Sequence, residues 1–348
     1  MISVYSPHHI LHNPPKEFIS NQVVAYGESP ERAELIYEAL MDVSKVVLTR
    51  AEEFDMGHFH KIHSPAYLEY LQSAYAEWIA AGLWTEGILP EFFALGKLRE
   101  HPPSKSPEGK AGYYMTDSST MIVKDTWEAV RFSGFTALTG ARYLLNGASF
   151  VFSLCRPPGH HAGFDFAGGY CFVNNAALAA KFLQDQGDLN LNGNVKVGIL
   201  DLDFHHGNGT QDIVQRLENI LFVSIHGDPD YSYPYLTGFE SENTLKNINF
   251  PLAPGIKDEV YFKVFCDAIS RMMQFGAQYL IVSLGVDTFE REQLGNFNLS
   301  SEIYSRLSEY LIRELNIPVL IVMEGGYNTE FLARNVLSFL NPFINSQL

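Results

Sequence analysis

Cysteine is scarce in this 348-residue chain, with three residues at Cys155, Cys171 and Cys266. So small and odd a number excludes a disulfide framework and points to a reducing compartment. Basic residues are outnumbered: 24 Lys and Arg stand against 40 Asp and Glu, for a net charge of −16. That excludes a general nucleic-acid binder, which needs a basic face. It suits a protein that steers a cationic substrate. No apolar run reaches the about 18 residues of a spanning helix. The opening, Met1-Ile2-Ser3-Val4-Tyr5-Ser6-Pro7-His8-His9, lacks a basic segment leading into an apolar core. The expectation is a soluble cytoplasmic protein with no membrane partner. Internal repeats, low-complexity tracts and linkers are also missing, so residues 1–348 read as one domain.

What is present is an apolar fraction of 46%, laid out as strands and helices in turn. Ile2 to Tyr5 reads as a first strand and His8 to Tyr26 as loop. Ser29-Pro30 and Ser64-Pro65 each open a helix, with Ser as cap and Pro at the first position. These helices run to about Met41 and Ala81, with a short strand at Val46 to Leu48 between them. Residues 83–124 differ. They carry Pro90, Pro102, Pro103 and Pro107 and the exposed-looking aromatics Trp84, Phe92, Phe93, Tyr113 and Tyr114. They read as an irregular insertion that serves as a lid or an oligomer contact. From Asp125 onward, helices alternate with apolar runs at 150–154, 195–202, 220–225, 279–284 and 319–323. Continuous apolar runs are what strands covered on both faces should show. The order implies an α/β fold: a central multi-stranded parallel β-sheet with helices on both faces.

In such a sheet, ligands bind beyond the carboxyl ends of the strands. Polar clusters follow each apolar run there: Arg156-Pro-Pro-Gly-His-His-Ala-Gly163, Asp201-Leu-Asp-Phe-His-His206, His226-Gly-Asp228, Asp287 and Glu324-Gly-Gly-Tyr327. Alternation along an extended strand puts Asp201, Asp203 and His205 on one side. Carboxylates and an imidazole are costly to bury unless paired or bound to a cation. Asp203, His205 and Asp287 form a three-ligand set suited to zinc or a similar divalent metal. His160 and His161 are then free as acid and base, with Asp201 and Asn208 as candidate partners that would tune the two rings differently. Tyr327 can donate its hydroxyl to a developing oxyanion. Together these groups describe hydrolysis of an amide or ester.

Read together, the motifs Arg156 to Ala162, Gly168-Gly-Tyr-Cys-Phe-Val-Asn-Asn175, Asp201 to Thr210, Ser283-Leu-Gly-Val-Asp-Thr288 and Glu324 to Tyr327 carry a resemblance. The chain resembles the arginase–deacetylase superfamily, in its zinc-dependent histone deacetylase and acetylpolyamine amidohydrolase branch. It is most similar to the bacterial acetylpolyamine amidohydrolases, through Leu11-His-Asn13 with Glu17, Glu108-Gly-Lys-Ala-Gly-Tyr-Tyr114, His226-Gly-Asp-Pro229 and Val286-Asp-Thr-Phe289. The resemblance implies a single-domain arginase–deacetylase fold. It implies zinc, or ferrous iron, on Asp203, His205 and Asp287. It makes His161 the general base and acid, His160 its electrostatic partner and Tyr327 the oxyanion donor. It assigns Tyr170 and Tyr233 to the aromatic walls around the substrate's methylene chain, and Leu294 to the rim. A potassium site is implied on Asp201, Asp203, His205, Ser224 and Ile225. Glu17 and Glu108 match acids that meet the distal ammonium of a polyamine, and Ser119 stands where the family has a further acid. The 83–124 insertion matches one through which these enzymes dimerise and narrow the mouth. The implied reaction is deacetylation of acetylputrescine, acetylcadaverine and related polyamines, with a peptide lysine deacetylase as the alternative.

Overall fold

The computed structural model describes residues 1–19, 22–187 and 195–346. Ten strands are found among them: β1 (Ile2–Tyr5), β2 (Glu17–Ile19), β3 (Gln22–Val24), β4 (Val47–Arg50), β5 (Phe150–Leu154), β6 (Val197–Asp201), β7 (Ile220–Gly227), β8 (Asn247–Leu252), β9 (Tyr279–Leu284) and β10 (Val319–Met323). Eight of them form one sheet in the order β4-β1-β5-β10-β9-β6-β7-β8, and every neighbouring pair is parallel. The antiparallel pair β2–β3 stands apart.

Nine helices surround the sheet among the described residues: α1 (Pro30–Met41), α2 (Pro65–Ala80), α3 (Pro107–Tyr114), α4 (Thr126–Leu145), α5 (Asn175–Gln186), α6 (Asn208–Val214), α7 (Asp258–Phe275), α8 (Ser301–Glu314) and α9 (Leu332–Ser346). Strand alternation sends Leu320 and Val322 of β10 into a core shared with α2 to α6. Val319, Ile321 and Met323 of the same strand enter a second core shared with α1, α7, α8 and α9. The sheet is therefore covered on both faces, and its central strands read as unbroken apolar runs for that reason.

Three expectations need correction. His8 to Tyr26, read as loop, holds a short 3-10 helix at Pro7–Leu11 and the β2–β3 pair. β8 was not foreseen, because Asn247-Ile-Asn-Phe-Pro-Leu252 has weak strand character; Pro251 is tolerated there because β8 is the sheet's last strand. The insertion is not wholly irregular. Ser106 caps α3 by accepting the Gly109 amide, and Pro107 opens the helix. Tyr114, grouped with exposed aromatics, is buried and its ring lies 4.8 Å from that of Tyr70, while Trp84 and Phe92 are exposed.

Four adjacent strands, β5, β10, β9 and β6, deliver their carboxyl ends to one place. The segments that leave them carry His160 and His161, Glu324 to Tyr327, Asp287, and Asp201 to His205.

Candidate active site

Strand β6 ends at Asp201, and the chain then bends tightly through Asp203 and His205 into α6. Donor atoms of Asp203, His205 and Asp287 lie within 4.8 Å of one another. His205 Nδ1 sits 3.2 Å from Asp203 Oδ1 and 3.1 Å from Asp287 Oδ2. The outer carboxylate oxygens are held by backbone: Gly325 N–H donates to Asp203 Oδ2 at 2.8 Å, and Phe204 N–H to Asp287 Oδ1 at 2.9 Å. Residue 325 must be glycine for this, because a Cβ there would lie 2.5 Å from Asp203 Oδ2 and 2.6 Å from Asp287 Oδ2. Both carboxyls are buried, and among the described residues neither forms an ion pair with Lys or Arg. Burial pushes the Asp287 carboxyl up to about 7, with the charge of Asp203 adding to it. Burial opposes protonation of His205, yet its bonds to Asp203 and Asp287 raise it to about 9. The cluster is short of positive charge, and its two oxygen donors and one nitrogen donor fit a divalent cation.

The tandem histidines lie beside it, with ring centroids 4.0 Å apart. His160 Nδ1–H donates to Asp201 Oδ2 at 3.1 Å, and His161 Nδ1–H donates to Asn208 Oδ1 at 2.7 Å. The different partners move the rings apart. Burial would lower His160, but Asp203 and Asp201 carry it up to about 10. His161 is driven well below its ordinary value by burial and then by the neighbouring histidines. Glu324, quoted only within a motif by the sequence reading, holds this loop: its Oε2 accepts the amides of Gly159 at 2.7 Å and His160 at 3.2 Å. His160, Cys171 and Glu324 also converge within 4.8 Å. There Glu324 already accepts two amides, burial pushes the Cys171 thiol well up, and its S–H donates to the Gly169 carbonyl at 3.3 Å, the setting of a packed thiol.

Tyr327 follows the Gly-Gly pair at the end of β10. Arg32 of α1 lies 4.7 Å from its ring centroid. The same guanidinium donates to the carbonyls of Gly326 and Glu324 at 2.6 and 2.7 Å, and to Glu28 at 2.7 Å. Glu28 also accepts Arg156 Nε at 2.9 Å. This buried triad was not foreseen: Glu28 and Arg32 look like ordinary helix-start charges in sequence.

His161, His205, Tyr327, Tyr170, Tyr233 and Leu294 all line one cavity of about 560 Å³. Glu17 does not line it. Glu17 is buried behind the wall, accepting Tyr170 O–H at 2.7 Å and the Gly27 amide at 2.7 Å. Glu108 lies in the first turn of α3, also outside the lining. Among the described lining residues the carboxylate belongs to Asp117, which no motif marked; the position where the family has a further acid is Ser119, two residues on. Asp201 and Ser224 are register neighbours on β6 and β7, and Ser224 Oγ lies 2.8 Å from His226 Nδ1.

Residues 26–342 match the histone deacetylase domain. The chain belongs to the histone deacetylase family. Acetylpolyamine amidohydrolase 2 of Pseudomonas aeruginosa is 39% identical over 99% of this chain and 98% of its own length. Acetylpolyamine amidohydrolase of Mycoplana ramosa is 38% identical over 97% and 98%. The crystal structure of an acetylpolyamine aminohydrolase from Burkholderia pseudomallei superposes with a TM-score of 0.91, at 32% identity, over 99% of this chain and 98% of that one. The sheet and its helical layers are thus the arginase–deacetylase fold expected from the motifs, and the chain is an enzyme of the deacetylase class.

Proposed function

We propose that this enzyme hydrolyses N-acetylated diamines and polyamines, acetylputrescine and acetylcadaverine among them, to acetate and the free amine. The observation that carries the reading is the tyrosine-walled cavity that ends at His161 and His205, with Asp117 in its lining and Glu17 behind its wall. It suits a slim, cationic methylene chain. Three relatives of near-equal length bear the name acetylpolyamine amidohydrolase and support the same substrate class.

Asp203, His205 and Asp287 are the residues to hold a divalent metal, zinc or ferrous iron, which when bound activates a water and polarises an amide carbonyl. Asn208 fixes the His161 proton on Nδ1, so Nε2 carries the lone pair facing the cavity. His161 takes the proton of the attacking water and delivers it to the departing amine nitrogen as the amide C–N bond breaks. His160 is kept cationic by Asp201 and Asp203 and stabilises the negative charge that develops nearby. Tyr327 donates its hydroxyl to the oxyanion of the former carbonyl. Tyr170 and Tyr233 flank the methylene chain, and Leu294 forms the rim. A potassium ion is assigned to the Asp201 side chain and carbonyl, the carbonyls of Asp203, His205 and Ile225, and the Ser224 hydroxyl. Two copies join through the 83–124 insertion, which exposes Trp84, Phe92, Leu95 and Leu98. Glu108 then serves the entrance rather than the cavity.

The deciding assay is acetate release from acetylputrescine, acetylcadaverine, acetylspermidine and an acetyl-lysine peptide, with zinc and potassium supplied. A kcat/KM for the diamines at least about tenfold above the peptide supports the proposal. Equal turnover of the peptide replaces it with a lysine deacetylase.

A further inference from the structure

Tyr233 and Tyr170 are cavity walls with polar ends, and both ends are tied down. The tie on Tyr233 is Asp117, whose Oδ2 accepts the phenol O–H at 2.8 Å and the Gly169 amide at 2.6 Å. Its Oδ1 accepts four more donors: the amides of Ser119 and Thr120 at 3.0 Å each, and their hydroxyls at 2.9 Å each. Six donors saturate one carboxylate. Gly169 and Tyr170 are consecutive left-handed residues, with φ of 50° and 66°. For Tyr170 that conformation is strained and needs external support. Support comes from this loop: Asp117 holds the Gly169 amide, and Thr120 Oγ1 accepts the Tyr170 amide at 3.0 Å. Across the cavity the Tyr233 ring stands 5.0 Å from the ring of His161.

We infer that Asp117 is a positioning residue, which sets the spacing of both aromatic walls through Tyr233 O–H and the Gly169 amide and does not itself bind the substrate's ammonium. This rests on the proposed amine substrate, and it reassigns the carboxylate that a cationic substrate would be expected to meet. A saturated Asp117 would have to give up one of its six donors to take a new one, and either the Tyr233 wall or the loop that supports Tyr170 would loosen as it did so.

The test compares Asp117→Ala, Tyr233→Phe and the double variant on acetylputrescine and on N-pentylacetamide, a chain of similar length without the ammonium. Tyr233→Phe removes only the hydroxyl and guards against a misfolded Asp117 variant. Asp117→Ala is expected to raise KM about tenfold for both substrates, with the double variant no worse than Asp117→Ala alone. A loss confined to the charged substrate, adding to that of Tyr233→Phe, overturns the inference in favour of direct ion pairing. A second readout needs no substrate. Fluorotyrosine placed at 233 should give one narrow 19F resonance in the parent protein and a broadened or split one with Asp117→Ala. An unchanged resonance overturns the positioning role even if the substrate proposal stands, and a changed one upholds it even if acetylputrescine proves inert.

Discussion

Tyr327 is the proposed oxyanion donor and leaves β10, whereas the proposed metal ligands leave β6 and β9. Tyr327→Phe should therefore lower kcat about 10²- to 10³-fold with metal content unchanged, checked by steady-state kinetics beside metal analysis. Gly325→Ala should instead lose activity through the proposed metal site. Its Cβ would press on Asp203 and Asp287, so metal retained after dialysis should fall while circular dichroism stays native. His63 is buried, with Nδ1–H bonded to the Gly163 carbonyl at 2.8 Å and Nε2 accepting the Asn174 amide at 3.0 Å. Burial pushes this ring down to about 4. As pH falls from about 6.5 the unfolded chain takes up the proton first. Stability from His63 is then complete above pH 6.5 and is lost between there and pH 4, by about 3 kcal/mol. A falling urea midpoint over that window, with the His63 ring signal untitrated above about pH 5.5, checks the sign. The cluster of Asp203, His205 and Asp287, and Asp201 and Asn208 as partners of the tandem histidines, were legible because polar residues following apolar strands have few innocent explanations; which partner meets which ring only the fold decides. Asp117 was not. In Thr116-Asp-Ser-Ser-Thr120 it resembles any solvated turn, and only the fold brings Tyr233, 116 positions away, to its oxygen.

Between elements, the join that matters most is α1 to β10. Arg32 ties the helix to the carbonyls on either side of Gly325 and leans on the Tyr327 ring. Arg32→Ala strands Glu28 beside a single remaining arginine in a buried site. The expected cost is about 3–5 kcal/mol in urea unfolding, with a drop in kcat as Tyr327 loses its backing. Such a join cannot be seen in a linear chain, since its partners are separated by 292 and 294 positions. The elements themselves were largely readable. β5, β7, β9 and β10 announced themselves as apolar runs because helices cover both faces. The Ser-Pro helix start at 29 and 64 was read correctly, while the same signal at Ser106-Pro107 was lost among the prolines around it. β8 escaped because a half-buried edge strand with asparagine and proline has little to distinguish it from loop.

At the scale of the molecule, a net charge of −16 should draw cations toward the cavity over about a Debye length. Raising ionic strength at constant potassium should raise KM for acetylputrescine several-fold and leave N-pentylacetamide unaffected. The proposed pairing of two copies is checked by the mass in solution; a monomer at micromolar concentration removes it. One feature of the sheet also bears on how the enzyme is made. β10 lies between β5 and β9, yet it is the last of the ten described strands to be synthesised. On the ribosome, then, β5 and β9 wait with open edges facing a gap, and Asp203 and Asp287 wait without Gly325 to orient them. The proposed metal site is therefore incomplete until Gly325 has been made, and a nascent chain stalled before Val319 would offer chaperones two unpaired strand edges.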